Sequence, residues 1–220
     1  MNKGLYIVFE GIDYSGKTTQ MENLRIALEE ESIPIYEDII REPGGTPPGQ
    51  IIRNLLVGNE QGDEFKKYRT PKSQVLGYNF DRAFLVENVI KPALTLGQSV
   101  VSDRCWISTI AYQHFAEKMP LDKVLAICEF AIEGCMPDHV FVLDITVEEA
   151  ELRMRSRKGE ENHYDTQQKG FKESLREGYA WAAKYYPNIV TVINGERYEE
   201  DIAVEVLEKT LQIYKTKNAL

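Results

Sequence analysis

Residues 6–30 read YIVFEGIDYSGKTTQMENLRIALEE. An apolar run, Tyr6 to Phe9, leads into Gly11-Ile12-Asp13-Tyr14-Ser15-Gly16-Lys17-Thr18, which satisfies G-x-x-x-x-G-K-[ST], and a stretch from Thr18 to Glu30 follows with apolar residues every three or four positions. Strand, glycine loop and helix in that order are the context the motif requires. The glycines let the backbone wrap so that its N–H groups face phosphate oxygens, while the helix amino terminus adds partial positive charge. Lys17 can reach the outer phosphates, and the Thr18 hydroxyl can ligate Mg²⁺. A glycine turn that happens to precede a lysine is the bland alternative, and the flanking strand and helix weigh against it.

Further short apolar runs lie at Ile33 to Ile40, Ser99 to Ser102, Val140 to Leu143 and Ile189 to Ile193. Helical spacing recurs at Asp122 to Glu133, Val147 to Met154 and Asp201 to Tyr214. The alternation predicts an α/β fold: a five-stranded parallel sheet flanked by helices on both faces, with its ligand cleft at the carboxyl ends of the strands. Gly58 to Tyr68, two glycines among polar residues, reads as a solvated loop.

The 220 residues, 43% apolar, suffice for one domain with a mobile appendage. A formal net charge of −9 repels nucleic acid polymers, so an anionic ligand must be held by a local cluster of cations. Cys105, Cys128 and Cys135 lack the paired spacing of a zinc or redox site. The apolar run at Leu5 to Phe9 is too short for a membrane span or signal peptide, and a cytoplasmic protein is expected.

No Asn-Lys-x-Asp segment, which a guanine-nucleotide switch would need, occurs in the chain. Arginines instead recur at strand ends, in Arg41-Glu-Pro-Gly-Gly45, Asp81-Arg82 and Asp103-Arg104, and in a cluster at Arg153, Arg155, Arg157 and Lys158. Such convergence suits two phosphorylated ligands better than one. Taken together, FEGIDYSGKTTQ (9–20), REPGGTPPGQIIR (41–53), DRAFLVENVIKPAL (81–94), SDRCWISTIAYQ (102–113), PDHVFVLD (137–144) and FKESLREGY (171–179) resemble the thymidylate kinase family over almost the whole chain.

The resemblance implies a single kinase domain, residues 1–220, that moves the γ-phosphoryl group of ATP onto dTMP with Mg²⁺, and it implies a homodimer. It assigns ATP contacts to Gly11 through Thr18 and to Thr19, and the metal to Thr18 and Asp103. Asp13 would lie near the acceptor's sugar and phosphate, and Arg104 and Arg53 would grip that phosphate. Guanidinium forks suit this work. Tyr78 would stack on the base and Arg82 would address its O4 acceptor, while Ser108, Thr109, Tyr112 and Gln113 would line the nucleoside pocket. Trp106 and Ile110, on the same helix, are candidates for the interface with a partner subunit. The adenine is expected near Asn194 to Arg197.

The chain departs from the family in its lid, a segment of about residues 153–165. The phosphate loop carries no arginine, and the family arginine of the lid aligns with His163 in Asn162-His163-Tyr164-Asp165. The expected catalytic cations are therefore Lys17 and Arg104 together with Arg153, Arg155, Arg157 or Lys158. Cys105, His114-Phe115 and Tyr78-Asn79-Phe80 also differ from common family residues, which leaves two alternatives. One is a kinase for other or more numerous nucleoside monophosphates, such as dUMP or purine deoxynucleotides. The other is a regulator that binds ATP without catalysis.

Overall fold

A computed structural model describes residues 2–58, 67–156 and 169–219. Strand β1 (Tyr6–Glu10) is central in a five-stranded parallel sheet of order β2-β3-β1-β4-β5, with β2 at Ile40–Arg41, β3 at Val100–Asp103, β4 at His139–Asp144 and β5 at Val190–Asn194. In register, Tyr6 faces Val100 and Phe9 faces Asp103 on one side of β1, while Ile7 faces His139 on the other. Side chains of a strand alternate between faces. Ile7 and Phe9 therefore join Leu143, Met21 and Leu24 in a core beneath α1 (Lys17–Glu30) and α9 (Glu199–Lys217), and Tyr6 and Val8 join Val140, Ile107 and Leu175 in a second core on the opposite face. Burial on both faces explains why β1 reads as an unbroken apolar run.

The second core is closed by α3 (Pro71–Leu85), α5 (Trp106–Thr109), α6 (Leu121–Ile132) and α8 (Lys169–Tyr185). Helix α3 continues through a π-helical turn at Val86–Ile90 into α4 (Lys91–Thr95), and α5 continues as a π-helix over Ile110–Ala116. Threonine caps start the helices beside the cleft: Thr46 accepts from Gly49 N–H at 3.1 Å ahead of α2 (Pro47–Leu56), and Thr70 and Ser73 form a capping box ahead of α3. Helix α7 (Val147–Ser156) follows β4.

Three expectations need correction. Asp81-Arg82 does not stand at a strand end: it lies on α3, with Arg82 in the helix's last turn. Ile33 to Ile40 is not one strand: pairing is confined to an isolated bridge between Ile35 and Ser99 and to Ile40–Arg41. Pro34 has no N–H to give a ladder, and Glu37 and Asp38 follow it, so this edge segment stays irregular. Trp106 and Ile110 offer no surface to a partner subunit, because both are buried in the chain's own core, where Trp106 meets Tyr186 edge-on at 5.0 Å. Most of the expected loop at Gly58 to Tyr68 lies outside the described residues.

Candidate active site

A cleft of about 840 Å³ opens at the carboxyl ends of β1, β2 and β3. That volume is toward the upper end for ligand pockets. The phosphate loop forms its floor. Gly11 (φ 136°) and Gly16 (φ 97°) take backbone conformations that side chains rarely adopt, and a Cβ on Gly11 would lie 2.5 Å from the Leu143 carbonyl oxygen. Lys17 donates from Nζ to the carbonyls of Gly11 and Ile12 at 3.2 and 3.1 Å, folding its ammonium back over the loop. Burial lowers the Lys17 pKa, and Arg104 acts the same way, against the carboxylates of Asp103, Asp13 and Glu10. Thr18 and Thr19 are exposed on the cleft wall.

Arg104 stands beside this floor with φ 76°, a conformation that costs a non-glycine residue about 1 kcal/mol or more. What holds it there is a ring of acceptors. Nη2 donates to Asp13 Oδ1 at 2.7 Å, Nη1 reaches Ser108 Oγ at 3.1 Å, Tyr179 OH at 3.0 Å and the Gly11 carbonyl at 3.3 Å, and the guanidinium lies 5.5 Å from the centre of the Tyr112 ring. Burial by itself would raise the Asp13 carboxyl, but the charges of Arg104 and Lys17 outweigh it and hold the carboxyl low. Glu10 is completely buried, and it accepts from Cys105 N–H at 2.9 Å, Ser108 N–H at 3.0 Å and Ser108 Oγ at 2.6 Å, thereby capping α5 just after Arg104.

At the far end of the cleft Arg82 is also buried, and each part of its fork is anchored. Nε donates to Glu42 Oε2 at 2.8 Å, Nη1 to Asn79 Oδ1 at 2.5 Å and Nη2 to Thr109 Oγ1 at 3.1 Å. Burial pushes the Glu42 carboxyl up in spite of Arg82. Asp81 accepts from Gly44 N–H at 3.3 Å, and burial raises its carboxyl to about 6. Tyr78, Tyr112 and Gln113 line this end, with Arg53, whose Nη1 donates to the Pro43 carbonyl at 3.1 Å, on the wall between the two ends.

Beside the loop, Arg153 is held by Glu149 at 2.7 Å and donates to the carbonyls of Gly195 at 2.9 Å and Tyr14 at 3.4 Å, so its guanidinium leans over the phosphate site. Arg155 points elsewhere: it is 75% exposed, 3.9 Å from Glu151, and does not line the cleft. Arg157, Lys158 and the segment Asn162 to Asp165 with His163 lie outside the described residues. Gly195 and Arg197 line the cleft near Arg153, at the end expected for the adenine.

The family model described as Thymidylate kinase matches residues 9–206. The chain belongs to the thymidylate kinase family. Among similar proteins, the thymidylate kinase of Fervidobacterium nodosum is 37% identical over 204 residues, covering 93% of this chain and 97% of its own. Those of Caldanaerobacter subterraneus subsp. tengcongensis (36% over 213 residues, 96% and 97%) and Exiguobacterium sp. (34% over 209 residues, 95% and 95%) match at similar length.

In this member of the thymidylate kinase family, Glu10, Glu42, Asn79 and Tyr179 brace the two central arginines, and the sequence reading gives none of them a role. Asn79 is the clearest case. It counts there only as a departure from common family residues, yet its amide anchors Arg82, while its neighbour Phe80 is 59% exposed and turned away from the pocket. An Asn three residues before an Arg on a helix is the signal that could have found it.

Proposed function

We propose that the chain transfers the γ-phosphoryl group of ATP to dTMP, giving dTDP and ADP. The observation that carries this reading is the single cleft that runs from the phosphate loop past the Arg104–Asp13 pair to Arg82 and Gln113. A regulator that only bound ATP would have no use for the second end. The attacking group, a phosphate oxygen of the acceptor, is already ionised at neutral pH, so no base is needed. The oxygen forms its bond to the γ-phosphorus as the bond to the β,γ-bridging oxygen breaks, and ADP leaves with the electron pair.

The residues do their work by alignment and charge. Arg104 and Arg53 hold the acceptor phosphate, Lys17 and Arg153 offset the charge on the transferring group, and Asp13 orients Arg104 and accepts from the sugar. Arg82 donates to the base O4, which favours thymine over cytosine, whose amino group is a donor there. Dropping the thymine methyl changes binding by only ~1–3 kcal/mol, so slow turnover of dUMP is expected. The oxygen donors fit Mg²⁺: Asp103 Oδ1 is buried without a hydrogen-bond partner and the Thr18 hydroxyl opens onto the cleft. Thr18 would hold the ion directly and Asp103 through water, and the bound ion supplies neutralisation of the β- and γ-phosphate charge. The same reading includes a cytoplasmic homodimer. A coupled ADP-release assay across all the nucleoside monophosphates tests it: dTMP should turn over fastest, and ATP binding without turnover of any acceptor would overturn it.

A further inference from the structure

Gln113 lines the cleft, yet its side chain is completely buried and only one end of its amide is satisfied. Nε2 donates to Glu117 Oε2 at 3.3 Å, while Oε1 has no partner. The pair stands four residues apart where the π-helix Ile110–Ala116 ends, and Glu117 N–H closes that last turn by donating to the Tyr112 carbonyl at 2.9 Å.

An ionised carboxylate only accepts, and a primary amide donates only from its nitrogen. Glu117 therefore draws the amide nitrogen to itself and leaves the carbonyl oxygen as the unpaired end of a side chain that lines the cleft. We infer that Glu117 is a specificity-determining positioning residue: by fixing the orientation of the Gln113 amide it makes the acceptor pocket select a base that presents an N–H donor at N3. This rests on the dTMP reading above. Thymine and uracil carry that proton, whereas cytosine offers a bare acceptor there and would face the Gln113 oxygen acceptor to acceptor. Such a mismatch leaves two buried groups unsatisfied. Burial raises the Glu117 carboxyl to about 7, so the constraint is complete only above that pH.

The test measures kcat/KM for dTMP and for dCMP at pH 8.5 in the full-length protein and in Glu117→Gln, Glu117→Ala and Glu117→Asp. A glutamine at 117 can accept or donate, and an alanine can do neither, so both release the amide. The expected result is a fall of at least fivefold in the dTMP:dCMP ratio in Glu117→Gln and Glu117→Ala, arising from KM rather than kcat, with the ratio largely restored in Glu117→Asp. A purely structural role would lower both substrates together and leave the ratio unchanged, and that outcome in any folded release variant overturns the inference. So does a wild-type protein that uses dCMP as well as dTMP. Failure of the wild-type protein to phosphorylate any monophosphate would instead overturn the function itself.

Discussion

Replacing Arg104 by methionine separates binding of the acceptor from binding of ATP. Methionine keeps much of the volume and removes the fork. The backbone is no worse off, since φ 76° is about as strained for methionine as for arginine. The fold should survive: Glu10 retains its three donors at 2.6–3.0 Å, Tyr179 OH keeps Ser108 Oγ at 3.3 Å, and Asp13, which loses its Arg104 bond, has a side chain 30% exposed, so water can solvate it. Function should not survive. A guanidinium gripping a phosphate through two charge-assisted bonds, each worth about 1.5–3 kcal/mol, contributes about 3–6 kcal/mol. Its loss lowers kcat/KM for dTMP by about 10² to 10⁴. Lysine restores the charge without the fork, so Arg104→Lys should fall between wild type and methionine. Steady-state ADP release gives the rates, a thermal melt confirms folding, and titration with a fluorescent ATP analogue reports the donor site, whose affinity should move less than about threefold. A folded methionine variant that loses less than tenfold, or whose ATP affinity falls as far as its turnover, refutes the assignment of Arg104 to the acceptor phosphate.

Other expectations follow from neighbouring contacts. Arg153→Met should lose more than tenfold in kcat, roughly 1.4 kcal/mol or more, whereas the outward-facing Arg155→Met should stay within twofold, both read by the same assay. Gly178→Ala places a Cβ 2.7 Å from Ala111 Cα, so α8 must move off the π-helix; a loss of about 1–3 kcal/mol in denaturant melts is expected, with reduced turnover because the adjacent Tyr179 no longer meets Arg104. His139, its Nε2 2.8 Å from Thr191 Oγ1, has its pKa lowered to about 4, first by burial and then by Lys209. A depressed folded pKa stabilises above the unfolded value near 6.5 and is lost as pH falls from there through 4. Wild type should therefore lose about 2–3 kcal/mol from this group between pH 7 and pH 4, and His139→Gln should show a flatter profile in melts across that range.

How far the site was legible in the sequence depended on whether a residue's job is local. The phosphate loop declares itself because its glycines, lysine and threonine act within eight consecutive positions, with a doubly buried strand in front. Arg104 and Arg82 stood out as arginines after strands or within motifs. Their supports did not. Glu10 reads as the end of an apolar run, and only the approach of Cys105 and Ser108, far along the chain, reveals it as a helix cap. Tyr179 reaches Arg104 across 75 residues. Trp106 and Ile110 were misdirected for the same reason: apolar side chains on a short helix do not say whether α8 of the same chain or a second subunit will cover them. The edge segment at Ile33 to Ile40 had the composition of a strand, but Pro34 left it unable to complete a ladder.

The most direct measurement is transfer of label. The protein is incubated with Mg²⁺, ATP labelled in its γ-phosphate and dTMP, and the products are separated by chromatography. Label appearing in the β-phosphate of dTDP, one equivalent for each ADP formed, is the expected result. Label released only as inorganic phosphate, or retained in ATP while dTMP is unchanged, would contradict it.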